Sequence, residues 1–108
     1  MVYNLLEYTM KLNEIVYKRH KIRVFWKKGK DYLALFDPNE STLYISPHLS
    51  KKMLGKILFH ELWHIICYFK KKNINKLGEE NTALLSEEFA VILAANPKLK
   101  RLVYGCLK

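Results

Sequence analysis

Between Ile57 and Phe69 every residue is apolar or aromatic except His60, Glu61 and His64. Such a stretch has to be hidden inside a folded core, and it falls well short of the roughly 20 apolar residues that a bilayer span requires. No membrane association is expected. The apolar positions repeat at helical period through Leu49, Met53, Leu54, Ile57, Leu58, Ile65 and Tyr68, and Ser50 is a suitable N-cap. The spacing therefore predicts a long helix from about Ser50. It should run out near Lys70-Lys71-Lys72, because Asn73, Asn75 and Gly78 signal a break before the next element.

The rest of the chain has to complete a core around this helix. At 108 residues, half of them hydrophobic, there is material for one domain, and residues 1–108 read as a single unit without repeats or Pro/Gly-rich linkers. From about Asn4 to Arg19, Leu5, Leu6, Met10, Leu12, Ile15 and Val16 recur at near-helical spacing, which predicts an amphipathic N-terminal helix. Ile22 to Trp26 and Tyr32 to Phe36 are rich in β-branched and aromatic residues and are separated by Lys28-Gly29-Lys30-Asp31, the pattern of a hairpin. After a turn at Asp37-Pro38-Asn39-Glu40, Thr42 to Ser46 reads as a third strand, so a small three-stranded antiparallel sheet is expected. Downstream, a helix from about Asn81 to Ala95 is stopped by Asn96-Pro97. Pro97 then opens a final helix through about Leu107, with Leu99, Leu102, Val103 and Cys106 on one face. The expected class is α+β.

Lysine and arginine number 19 against 10 acidic residues, and the resulting charge of +9 attracts polyanions without any dedicated site. Weak association with nucleic acid through net charge is therefore expected. The basic residues are scattered, and the one run, Lys70-Lys71-Lys72, reads equally as a solvated helix end. Cys67 and Cys106 make neither a CxxC pair nor a disulfide framework, and the N-terminal residues carry no leader-like pattern. A reducing, cytoplasmic setting is expected.

Chemistry concentrates in His60-Glu61-Leu62-Trp63-His64. Two histidines at i and i+4 share one helical face, so their imidazoles can converge on one ion at about 2.0–2.1 Å. Imidazole ligands of this kind favour zinc. Glu61 is not a ligand in this arrangement. It flanks the pair as a general base for water. A catalytic site needs a third ligand, and Glu87 and Glu88 in the following helix are adjacent candidates. Glu87 shares its stripe with Ala83, Ala90 and Ala94, small residues that permit close approach, whereas Glu88 shares a bulkier stripe with Leu84, Leu85 and Ile92. Glu87 is favoured as the metal ligand, and Glu88 is left as a solvated or supporting carboxylate. His48 is a secondary acid/base candidate, His20 has no assigned role, and Tyr68 and Tyr104 are candidate donors to an oxyanion.

The HELWH helix, the preceding short sheet and the glutamate helix Glu87-Glu88-Phe89-Ala90-Val91-Ile92-Leu93-Ala94-Ala95-Asn96-Pro97 resemble the small zincin-type metallopeptidases, in particular the ImmA/IrrE-like group and related phage-encoded proteins. The resemblance covers roughly residues 40 to 99. It implies His60, His64 and Glu87 as zinc ligands, Glu61 as catalytic base, and hydrolysis of a peptide bond in a protein or peptide substrate. An exposed edge strand would pair with that substrate, and Thr42 to Ser46 is the expected candidate. The alternative from a different class is a basic binding module for nucleic acid or an acidic protein, with a structural or vestigial zinc site.

Overall fold

The computed structural model describes residues 12–29, 31–70 and 82–107. Four strands, β1 (Glu14–Tyr17), β2 (His20–Trp26), β3 (Ala34–Asp37) and β4 (Thr42–Ile45), precede three helices, α1 (Lys51–Lys70), α2 (Thr82–Ala95) and α3 (Pro97–Leu107). The class is α+β, but the sheet differs from expectation. It is four-stranded and mixed, in the order β1-β2-β4-β3, with β2 and β4 parallel and the outer pairs antiparallel.

Two readings are corrected by this topology. The segment expected as the end of an N-terminal helix is extended from residue 12 and forms β1; residues 4–11 of that reading lie outside the described residues. Leu12 and Ile15 are spaced three apart, which mimics a helical face. Ile15 and Tyr17 are the buried positions of the strand at period two, and β-branched and aromatic residues suit a pleated surface. A two-residue turn at Lys18 and Arg19 joins β1 to β2, with Lys18 in the left-handed region at φ 57°.

The second correction concerns the hairpin. β2 does not pair with β3, because β4 lies between them: Phe25 of β2 is opposite Tyr44 of β4, and Tyr44 is opposite Leu35 of β3. Burial explains this order. Leu43 and Ile45 of β4 are fully buried, whereas β3 carries the exposed Leu35 and half-buried neighbours, so β4 takes the centre and β3 the edge.

Ile22, Val24, Leu43 and Ile45 on the inner face of the sheet meet Leu54, Leu58, Leu62, Ile65 and Ile66 of α1, with Leu99, Leu102 and Val103 of α3 in the same cluster. Ser50 caps α1 as expected: its Oγ accepts from the Met53 N–H at 3.2 Å and its carbonyl from the Leu54 N–H at 2.8 Å. The expected break at Asn73, Asn75 and Gly78 lies outside the described residues. α2 is tied to β1 by Asn96, whose Oδ1 accepts from the Val16 N–H at 2.7 Å while its Nδ2 donates to the carbonyls of Val16 and Ile92. The side chain thus pairs with an edge strand as a neighbouring backbone would. Among the described residues no helix is long and apolar enough to cross a membrane.

Candidate metal centre

α1 buries one face and leaves the other in solvent, and His60 and His64 lie one turn apart on the exposed side. Their Nε2 atoms converge to 2.9 Å, with the rings nearly perpendicular at 81°. At this distance the two rings share a hydrogen bond; two nitrogens bound to one tetrahedral zinc stand about 3.3 Å apart, so a small opening of the pair would admit such an ion. The donor chemistry and the convergence both fit half of a zinc site.

Glu61 is turned from solvent towards β3 and is only 7% exposed. Burial raises its carboxyl above the usual glutamate range, against the opposing pull of His64, His60 and a hydrogen bond with the Phe36 backbone. A cleft of about 260 Å³ opens here, lined by Leu35, Phe36, Pro38, Glu61, His64 and Tyr68. Its wall is the sheet edge. The segment Thr42 to Ser46, expected to offer a free edge, contains β4, which is paired on both sides, so the exposed edge beside the motif helix is β3. Trp63 packs against the core and does not line this cleft. Tyr68 does line it, half exposed, with its ring edge-on to Phe36.

The adjacent glutamates of α2 part company. Glu87, Ala90 and Ala94 are exposed, while Glu88 and Ile92 are buried, so the alanine stripe faces outward and not towards α1. The physical reason is that α2 buries its bulkier stripe: Ile92 contributes more apolar area to the core than an alanine can. Phe89 packs on Phe59 of α1 with ring centroids 5.7 Å apart. Among the described residues no group of three or more His, Cys, Asp or Glu side chains is close enough together to hold a metal ion. The structure brings His60 and His64 together with Glu61 beside them, and Glu87 lies on the exposed face of α2.

Glu88 is held by a network that sequence reasoning missed. The Tyr17 hydroxyl donates to its Oε2 at 2.6 Å, and Lys70 and Lys18 lie 3.1 and 3.6 Å from its Oε1. Burial on its own would raise this carboxyl, but the hydrogen bonds from Tyr17 and Lys70 and the two lysine charges outweigh it and hold the pKa below the ordinary value. Burial and the bond to Glu88 together push the Tyr17 hydroxyl up, so it stays a donor. No local pattern signals partners 71 residues apart.

A depressed folded-state pKa contributes stability that is present above the unfolded value of about 4 and is lost as pH falls through the lower folded one. Glu88→Gln should accordingly cost about 2 kcal/mol at pH 7, and less as pH falls below about 4. Urea denaturation of both proteins across that range checks the sign. A gap that widens towards low pH would contradict it.

The remaining histidines lie elsewhere. His20 stacks on Phe69 at 3.8 Å between centroids. His48 lines a separate cleft with Lys28, Tyr32 and Ser46 before α1, whereas His60 lies about 14 Å along that helix from its first residue. Tyr104, on α3, has Lys100 over its ring at 5.8 Å. Comparison with models of known protein families, with curated proteins and with solved structures found no match for this chain.

Proposed function

We propose that this chain is a zinc-dependent metallopeptidase of the HExxH type, similar to the ImmA/IrrE-like group, cleaving a peptide bond in a protein or peptide substrate. The observation that carries the reading is the convergence of His60 and His64 at 2.9 Å with the buried Glu61 at their flank. Bound zinc would supply Lewis acidity and lower the pKa of water. The chain's own residues supply the rest. Glu61, raised by burial, accepts a proton from the attacking water and returns it to the leaving amine. The β3 edge gives an extended substrate a backbone to pair with, and the cleft beneath Leu35 and Tyr68 receives a side chain. Two free cysteines support a cytoplasmic setting.

Glu87 is the carboxylate we keep for the third ligand position. It is exposed, whereas the oxygens of Glu88 are engaged by Tyr17, Lys70 and Lys18. Native mass spectrometry is expected to find one zinc per chain, lost in His60→Ala. In competition with a chelator, Glu87→Ala should weaken zinc by more than about 100-fold and Glu88→Ala by about 10-fold or less, the smaller figure being typical of a supporting group. Protein that takes up no added zinc would end the peptidase reading. The reverse ranking would move the ligand to Glu88.

A further inference from the structure

Leu35 is shared between the outer face of the sheet and the histidine cleft, whereas Phe25, Tyr44, Lys21, Arg23 and Lys27 do not line that cleft. Strand alternation directs Ile22, Val24 and Trp26 of β2 to the core and Lys21, Arg23 and Phe25 to the other side. Lys27 continues this stripe, since its N–H extends the ladder to the Ile45 carbonyl at 2.9 Å. Phe25 lies opposite Tyr44, and Tyr44 opposite Leu35, so an apolar row crosses three strands at right angles to the basic stripe. Phe25 and Leu35 are 46% and 44% exposed. The Phe25 and Tyr44 rings are 6.0 Å apart and within 24° of parallel, and the Arg23 guanidinium is 5.9 Å from the Phe25 centroid.

We propose that this face binds single-stranded nucleic acid, with Phe25 and Tyr44 each stacking a base and Lys21, Arg23 and Lys27 meeting phosphates. The charge decides the occupant. An exposed aromatic row could be covered by many apolar partners, but here it interrupts a stripe of three exposed cations on a chain of charge +9. A ligand that offers planar rings and regularly spaced negative charges satisfies both features. A duplex hides its base faces, whereas an unpaired strand presents them to aromatic side chains. Glu14 and Asp37 occupy the two ends of the row containing Arg23 and Thr42, and Glu40 approaches the Tyr44 hydroxyl at 3.4 Å. These carboxylates border the cations and confine phosphate contacts to the β2 stripe. The proposal is independent of zinc and of hydrolysis.

Fluorescence anisotropy with labelled oligothymidylate and oligouridylate of about ten nucleotides, and with a duplex of equal length, tests it. The single strands should bind more tightly than the duplex. Phe25→Ala and Tyr44→Ala should each weaken single-strand binding about ten-fold, with circular dichroism and zinc content unchanged, and Phe25→Trp should retain it. Lys21→Ala and Lys27→Ala should each reduce the slope of log affinity against log salt by about 0.7. A preference for ribose or deoxyribose names the natural ligand, and either supports the site. Equal binding of duplex and single strand that ignores Phe25→Ala would reduce the effect to net charge and overturn the proposal, as would absence of binding. If polyglutamate bound and lost affinity in Phe25→Ala while the oligonucleotides did not, the face would be a dock for an acidic protein, which also overturns it.

Discussion

Glu61→Gln is expected to abolish peptide hydrolysis while leaving zinc stoichiometry and fold intact. The substitution is isosteric and removes the proton acceptor without removing either imidazole. General-base catalysis contributes about 10²–10⁴-fold, so turnover of a quenched fluorescent peptide library should fall at least that far. Stability should not fall with it. Burial makes this 7% exposed carboxylate costly to keep ionised despite the opposing pull of His64, His60 and the Phe36 backbone, and the neutral amide is easier to bury. The expected signature is thus lost activity with an equal or higher melting temperature, a combination that separates a catalytic group from a structural one. Unchanged turnover in this variant would remove Glu61 from the mechanism. Turnover lost together with zinc would make it a ligand and not a base.

Asn96→Ala should be the most destabilising single substitution among the buried polar residues. It orphans the Val16 N–H, the Val16 carbonyl and the Ile92 carbonyl, all bonded to the amide at 2.6–2.7 Å. The Ile92 bond is buried and the two Val16 bonds are part-buried; an unsatisfied buried group costs roughly 1–3 kcal/mol and water recovers part of the cost at Val16, so a net loss of about 3 kcal/mol is expected. For a domain of this size that corresponds to a fall of roughly 10–20 °C in Tm. Asn96→Asp should be worse at neutral pH, because it keeps the acceptor for Val16 N–H but sets a negative charge against two carbonyl oxygens. Chemical denaturation with an unchanged m-value would assign the loss to the folded state. A change under about 1 kcal/mol in Asn96→Ala would mean that the β1 edge does not depend on this amide.

The helices were legible because their signals are local. Ser50 caps within its own first turn, Pro97 begins α3 with the φ it already has, and His60 and His64 meet because one helical turn separates them. No tertiary contact is needed to bring two imidazoles four residues apart to one face. β1 was misread because Leu12, Ile15 and Val16 fit a helical period as well as a strand, and the choice rests on what covers them: the β2 hairpin on one side and Asn96 on the other. A short apolar segment contains no such information.

The amino-acid order alone therefore determined the α+β class, the three helices, the convergence of the histidine pair and the placement of Glu61 beside it. Strand order, the parallel pairing of β2 with β4, the choice of β3 as the edge beside the motif helix and the commitment of Glu88 to Tyr17 and Lys70 were decided only in the tertiary structure. The physical difference is sequence separation. Helical contacts close over three or four residues and are written in the local period, whereas sheet neighbours and buried polar partners lie up to 80 residues apart and are selected by which arrangement buries most apolar surface with its hydrogen bonds made.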